Sequence, residues 1–236
     1  MKTKQTVLIT GASRGLGFEL ALAFGTRGAR IGLVAREEGS LAKAARELEN
    51  KGIEVVVLPF DVGAKEDAYK IAGAAQLALG PIDILVHNAS TLGPLPLRAL
   101  ALSECEAFSA VLETNVVGPF RLTKALLPSL TRPGALSPSV LFISSDAAVS
   151  AYPDWGFYGV SKAALDHLAR SFAVEHPNVR VLAIDPGEMD TAMHHAAMPD
   201  ADVRALRRPR DVAESIVETF ALHASGDRFT TEVAHA

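Results

Sequence analysis

Thr6-Val7-Leu8-Ile9-Thr10-Gly11-Ala12-Ser13-Arg14-Gly15-Leu16-Gly17 joins a short β-branched, apolar run to a glycine turn, and an Ala/Leu-rich stretch continues from it to Gly28. The run has the length and composition of a strand. The stretch after it has apolar residues at three- and four-residue intervals, the spacing of one helix face. Glycines at such a strand-to-helix turn let the backbone bend tightly and approach a bound group closely. The helix start then directs its free N–H groups and positive dipole end at that group, which suits a phosphate.

The same alternation repeats along the chain. Arg30 to Ala35, Ile53 to Leu58, Ile82 to His87, Val140 to Ile143 and Val179 to Ile184 read as further strands, and Arg228 to Val233 as a last one. Their hydrophobicity is nearly continuous, as expected for strands buried on both faces of a parallel sheet. Between them, Glu37 to Lys51, Ala64 to Leu79, Glu104 to Leu130, Gly156 to Glu175 and Arg210 to His223 have helical length and periodicity. Strand and helix in strict alternation predict an α/β fold, a doubly wound parallel sheet of the Rossmann-like kind with helices on both faces. Residues 131–139 read as a surface loop and no linker divides the chain, so residues 1–236 are expected to form a single domain.

The glycine spacing is Gly-x-x-x-Gly-x-Gly, and with Thr10 before it the turn resembles the Thr-Gly-x-x-x-Gly-x-Gly of the short-chain dehydrogenase/reductase family. By that resemblance Gly11, Gly15, Leu16 and Gly17 hold the diphosphate of a nicotinamide dinucleotide, while Ser13 could add a neutral donor for a further phosphate on the adenosine ribose. A cofactor without the extra phosphate is usually held by an acidic residue ending the second strand. This strand ends instead in Ala35-Arg36, and Arg14 lies in the glycine turn. Two guanidinium groups suit an adenosine 2′-phosphate, so NADP(H) is expected over NAD(H). The resemblance further implies that Asp61 and Val62 contact the adenine and that Asn88 and Ala89 belong to the cofactor wall. His87-Asn88-Ala89-Ser90 departs from the family's Asn-Asn-Ala-Gly in two places. His87 ends an apolar strand and reads as a structural residue, whereas Ser90 in place of glycine implies a changed local backbone.

Tyr158-Gly159-Val160-Ser161-Lys162 puts a phenol and an ammonium on one helix face. An unperturbed phenol titrates near 10 and needs nearby positive charge to serve as a general acid/base at ordinary pH, which Lys162 could provide. Ser145 follows a strand, where the carboxyl ends of a parallel sheet collect ligand-binding groups. Asn115 interrupts an apolar helix although asparagine is a poor helix former. Asn115, Ser145, Tyr158 and Lys162 match the family's catalytic tetrad in identity, order and approximate spacing. The resemblance implies that Tyr158 exchanges the proton of the reacting oxygen, Ser145 hydrogen-bonds that oxygen, Lys162 holds the ribose and depresses the tyrosine, and Asn115 positions a water. Pro186, Gly187 and Thr191 resemble the family's segment at the nicotinamide, and the stretch from Ala192 to Ala201 its substrate lid.

Composition excludes several other classes. With 23 basic and 27 acidic residues the net charge is -4, which gives no broad positive field for nucleic acid. No apolar run approaches the roughly 18 residues of a membrane helix, and the short Val7-Leu8-Ile9 run is no signal-peptide core. One cysteine, Cys105, fits a reducing compartment, so a cytoplasmic protein is expected. His194 and His195 are adjacent and share no helix face, and no third ligand is evident, so no metal is expected. Tyr152, Pro153, Trp155 and Phe157 suggest an apolar or aromatic entrance for a small carbonyl or secondary alcohol, with Trp155 lining it or packing against a neighbouring subunit. Trp155-Gly156-Phe157-Tyr158 has a faint likeness to the sepiapterin reductases. A catalytically silent dinucleotide sensor on the same fold is the alternative. A sugar-nucleotide epimerase or dehydratase is disfavoured by the glycine spacing and by a length that leaves no room for a second domain. The family pairs its two long helices between subunits, so a homodimer is expected, with a tetramer possible.

Overall fold

A computed structural model describes residues 4–231. The apolar runs form β1 (Thr6–Thr10), β2 (Arg30–Ala35), β3 (Val55–Pro59), β4 (Ile84–His87), β5 (Ser139–Ile143), β6 (Arg180–Asp185) and β7 (Arg228–Thr230). The helices are α1 (Gly15–Thr26), α2 (Glu38–Glu49), α3 (Asp67–Leu79), α4 (Cys105–Leu112), α5 (Gly118–Leu130), α6 (Gly156–Glu175), α7 (Ala192–Ala197) and α8 (Pro209–Thr219). The strands make one parallel sheet in the order β3-β2-β1-β4-β5-β6-β7. The order reverses between β1 and β4, the point at which such a sheet leaves a crevice beyond its carboxyl edge.

Strand residues alternate between two cores. Val7, Ile9, Ile31, Leu33, Leu141 and Ile143 pack on the face covered by α1, α2 and α8. Leu8, Val34, Leu85, Val140 and Phe142 pack on the face covered by α3, α5 and α6. Both faces are therefore buried, which is why these strands read as continuous apolar runs.

Two segments differ from the sequence expectation. The single helix expected over Glu104 to Leu130 is broken into α4, a π-helical segment Glu113–Val117, and α5. The extra backbone residue of a π turn re-aims a side chain, here Asn115. Its Oδ1 accepts from Thr91 N at 2.8 Å, and its Nδ2 donates to Thr91 O at 2.8 Å and Ser161 Oγ at 2.9 Å. Gly118 follows, where a Cβ would strike the Val62 carbonyl. The last strand forms over Arg228–Thr230, parallel to β6, and the remainder of its expected span beyond Thr231 lies outside the described residues.

Candidate active site

At the β1/α1 turn the helix begins without a side-chain cap and with no acidic residue in its first turn. Its first N–H groups thus face the crevice with neither an internal acceptor nor a negative charge. Gly11 has φ +67°, and a Cβ there would lie 2.8 Å from Ala89 Cα and 2.9 Å from Asn88 Nδ2. Asn88 locks this approach by donating from Nδ2 to Thr10 O and Gly11 O, both at 3.1 Å. Thr10 Oγ1 in turn accepts from Asn88 N and Ala89 N. On the crevice side Gly15, with φ +57°, meets only Thr191 Cγ2 at 3.7 Å, so room for a ligand remains above it.

Arg14 and Arg36 are both exposed, and among the described residues neither guanidinium has a hydrogen-bond or ion-pair partner. Glu37, one alternative partner for Arg36, instead accepts from Ser40. Ser13, which precedes Arg14 in the turn, is half-buried. Asp61 and buried Val62 follow β3, with Asp61 Oδ1 accepting from Gly63 N at 2.9 Å. The turn and the end of β2 therefore offer a close-fitting backbone, an uncapped helix start and two free cations, a set that fits a nucleotide diphosphate with a further phosphate on its ribose.

The departures from the family turn have physical explanations. His87 is fully buried, bonds Thr123 Oγ1 through Nε2 at 2.7 Å and stacks on Phe142 at 4.8 Å. Burial holds its imidazole down at about 3, so it is a neutral core residue. Ser90 does not adopt a left-handed backbone, which among the described non-glycine residues is confined to Ser137 and Asp154. Serine therefore sits at this turn without left-handed strain.

The chemical groups converge at the ends of β4 and β5. Tyr158 and Lys162 lie one turn apart on α6, both buried, with Nζ 5.3 Å from the phenol ring centroid. Lys162 Nζ donates to Ile143 O at 2.8 Å. Burial lowers Lys162 to about 8, with the carboxylates of Asp166 and Asp185 working against that shift. Burial raises Tyr158 above its ordinary value, opposed by hydrogen bonding with Ser145 and reinforced by Asp146 and Asp185. The depression of the phenol expected from Lys162 is thus corrected. Desolvation of a buried phenol outweighs a neighbouring ammonium whose hydrogen bond is directed to a backbone carbonyl.

Arg228 supports this centre from β7. It donates to Asp166 Oδ2, Asp185 Oδ2 and the Ser145 carbonyl, each at 2.9 Å. Half-buried Arg228 thus pairs with the buried carboxylates of Asp166 and Asp185, which also act electrostatically on buried Lys162. Arg228 and Asp166 went unrecognised in the sequence because they lie 62 positions apart and carry no local motif. Asp146, directly after Ser145, accepts from the Ser145 hydroxyl at 2.8 Å and from Tyr152 OH at 2.7 Å.

A cavity of about 190 Å³ opens beside Tyr158, walled by Leu92, Leu97, Leu102, Trp155 and Phe157. Trp155 lines this cavity, meets Tyr158 edge-on at 5.8 Å and, like Leu97 and Ala197 of α7, packs against the cluster of Leu92, Ala147 and Tyr158. A larger cavity of about 350 Å³ lies at the opposite edge of the sheet, lined by Lys4, Phe24, Arg27 and Val217, and no site residue reaches it. Gly187 N donates to Asp185 Oδ1 at 3.0 Å, Pro186 O accepts from Thr231 Oγ1 at 2.9 Å, and Thr191 caps α7 through His194 N. His195 pairs with Asp190 at 2.7 Å, and among the described residues no group of three or more potential ligands is placed to hold a metal. No helix there is long and apolar enough to cross a membrane.

A family profile described as short chain dehydrogenase matches residues 5–202. The chain is 33% identical over 209 residues to a short chain dehydrogenase of Pseudocercospora fijiensis, covering 87% of this chain and 65% of that protein. It is 34% identical over 209 residues to the sepiapterin reductase of Xenopus tropicalis, covering 85% and 80%. The fold is similar to an alcohol dehydrogenase of Thermococcus sibiricus complexed with 5-hydroxy-NADP, with a TM-score of 0.86, 30% identity and coverage of 97% and 96%.

Proposed function

Because this chain belongs to the short-chain dehydrogenase family, we propose that it is an NADP(H)-dependent oxidoreductase interconverting a carbonyl and a secondary alcohol on a small apolar or aromatic substrate. The observation that carries this reading is an apolar cavity lined by Tyr158, with Lys162 one turn along α6, in a chain whose glycine turn and β2 end carry the unpaired guanidinium groups of Arg14 and Arg36. The family's architecture fits residues 1–236 as one domain. The structurally similar alcohol dehydrogenase of Thermococcus sibiricus, complexed with 5-hydroxy-NADP, adds support to the cofactor assignment.

In this reading Gly11, Gly15, Leu16 and Gly17 cradle the diphosphate, and Arg14 and Arg36, with the Ser13 hydroxyl as a further donor, bind the 2′-phosphate. Asp61 and Val62 flank the adenine, Asn88 and Ala89 form the wall, and Pro186, Gly187 and Thr191 meet the nicotinamide end. When bound, the nicotinamide supplies or accepts the hydride. Tyr158 gives its phenolic proton to the carbonyl oxygen in reduction and takes it back in oxidation. Its raised pKa keeps it protonated near neutral pH, the form that reduction requires. Ser145 orients the reacting oxygen, and Lys162 holds the ribose hydroxyls. Asn115, whose amide is committed to Thr91 and Ser161, fixes the helix break and leaves its backbone to position a water.

Exposed Phe120 and Val160 on α5 and α6 suit pairing of these helices in a homodimer, and the lone cysteine suits the cytoplasm. The test is a screen of NADPH oxidation against aldehydes, ketones, diketones and pterins, followed by absorbance. Turnover with at least one carbonyl class, faster with NADPH than with NADH, is expected. A protein that binds NADPH and reduces none of them would favour a sensor.

A further inference from the structure

Beyond its last paired residues a parallel sheet no longer fixes the spacing of neighbouring chains, and Ser145 and Pro186 lie beyond them. β5 and β6 pair as far as Ile143 and Ile184, and Ser144 N still donates to Ile184 O. The next ladder donor on the β6 side would come from residue 186, a proline without an N–H. The ladder therefore stops just before Ser145 on one chain and at Asp185 on the other. A single nitrogen from β7 takes over there. Arg228 Nη2 carries two hydrogens and donates to the Ser145 carbonyl and to Asp185 Oδ2, both at 2.9 Å. Asp185 passes the hold on, because its Oδ1 accepts from Gly187 N at 3.0 Å. Nε of the same guanidinium donates to Asp166 Oδ2 on α6 at 2.9 Å, which fixes the plane of the fork. Thr231 repeats the attachment, with its N donating to Asp185 O and its Oγ1 to Pro186 O.

We propose that Arg228 is a positioning residue for the reaction: by bridging the Ser145 carbonyl and Asp185 it sets the distance between the serine that meets the reacting oxygen and the Pro186-Gly187 segment that meets the nicotinamide. The proposal rests on the roles given above to Ser145, Pro186 and Gly187. The grip is on the main chain of Ser145 and takes nothing from its hydroxyl. Lysine at this position keeps the charge and loses the rigid planar fork that holds the three acceptors apart. Hydride transfer is sensitive to such a loss, since displacement of a reacting group by about 1 Å can slow a step about a hundredfold.

Single-turnover NADPH oxidation with the best carbonyl of the screen is compared in wild type, Arg228→Lys, Ser145→Ala and the double variant. Arg228→Lys should slow hydride transfer about ten- to a hundredfold in the wild-type background. Once Ser145→Ala has removed the hydroxyl that Arg228 positions, the same change should cost less than about threefold. Equal slowing in the two backgrounds would make Arg228 a scaffold residue and overturn the proposal. Pro-Gly occurs twice in the chain, at Pro133-Gly134 and Pro186-Gly187, so ¹³C-carbonyl proline with ¹⁵N-glycine isolates two amide signals, and exposed Gly134 is the internal reference. Arg228→Lys should shift the Gly187 signal and speed its exchange with solvent while Gly134 stays fixed; an unmoved Gly187 overturns the proposal as well. If the lysine variant does not fold, Arg228→Met combined with Asp166→Leu, which removes one stranded carboxylate, takes its place in both measurements. A wild-type protein that oxidises no NADPH overturns the functional reading instead, and the Gly187 signal still decides whether Arg228 joins the two segments.

Discussion

Lowering the pH should destabilise this protein through His87 in a way that one substitution removes. The side chain is fully buried against Phe142 and bonded to Thr123, and burial holds it at about 3 against an ordinary 6.5. The unfolded chain takes up a proton at this residue below about 6.5, while the folded chain does so only near 3. Stability is therefore lost as pH falls through that window and levels off below it. Between pH 7 and pH 5 the linkage amounts to about 2 kcal/mol, a sizeable part of the roughly 5–15 kcal/mol of an ordinary domain. His87→Asn keeps a polar group toward Thr123 and has no titration in the window. It should be less stable than wild type at pH 7, through lost stacking, yet lose about 2 kcal/mol less on going to pH 5. Urea denaturation of both proteins at the two pH values measures the difference. Equal losses in wild type and variant would refute the reasoning.

Arg14→Ala and Arg36→Ala should each weaken NADPH about five- to tenfold, since each removes one exposed charge-assisted contact; binding of NADH should not change. Titration of both nucleotides checks this, and equal loss for the two would contradict a 2′-phosphate role. Arg228→Met strands the carboxylates of Asp166 and Asp185 and should lower stability by about 3 kcal/mol. Adding Asp166→Leu should restore part of that loss in thermal denaturation, and a double variant no more stable than the single one would show that the pairing is not what matters.

Much of the fold could be read from the chain because its strands are buried on two faces. Val7 to Thr10, Ile31 to Val34 and Val140 to Ile143 are continuous apolar runs for that reason, and the intervening helices kept their periodicity. The break at Glu113–Val117 could not be read, since it depends on Asn115 reaching Thr91 and Ser161 and on Gly118 lying against the Val62 carbonyl. Asparagine in an apolar helix was the visible trace of it. The tetrad was legible as a motif, but its electrostatics were not. Tyr158 is raised because the fold buries it, and Arg228 reaches Ser145 from 83 positions away. Strand ends shifted by a residue or two, as at Val55–Pro59, where pairing with β2 decides the boundary.

The central claim is that Tyr158 exchanges the proton while the nicotinamide carries the hydride. Single-turnover oxidation of NADPH by the best carbonyl from the screen, compared between wild type and Tyr158→Phe, tests it most directly. The account predicts that the variant remains folded, binds NADPH normally and transfers hydride at least about a hundredfold more slowly. A folded Tyr158→Phe protein with near wild-type turnover would contradict it.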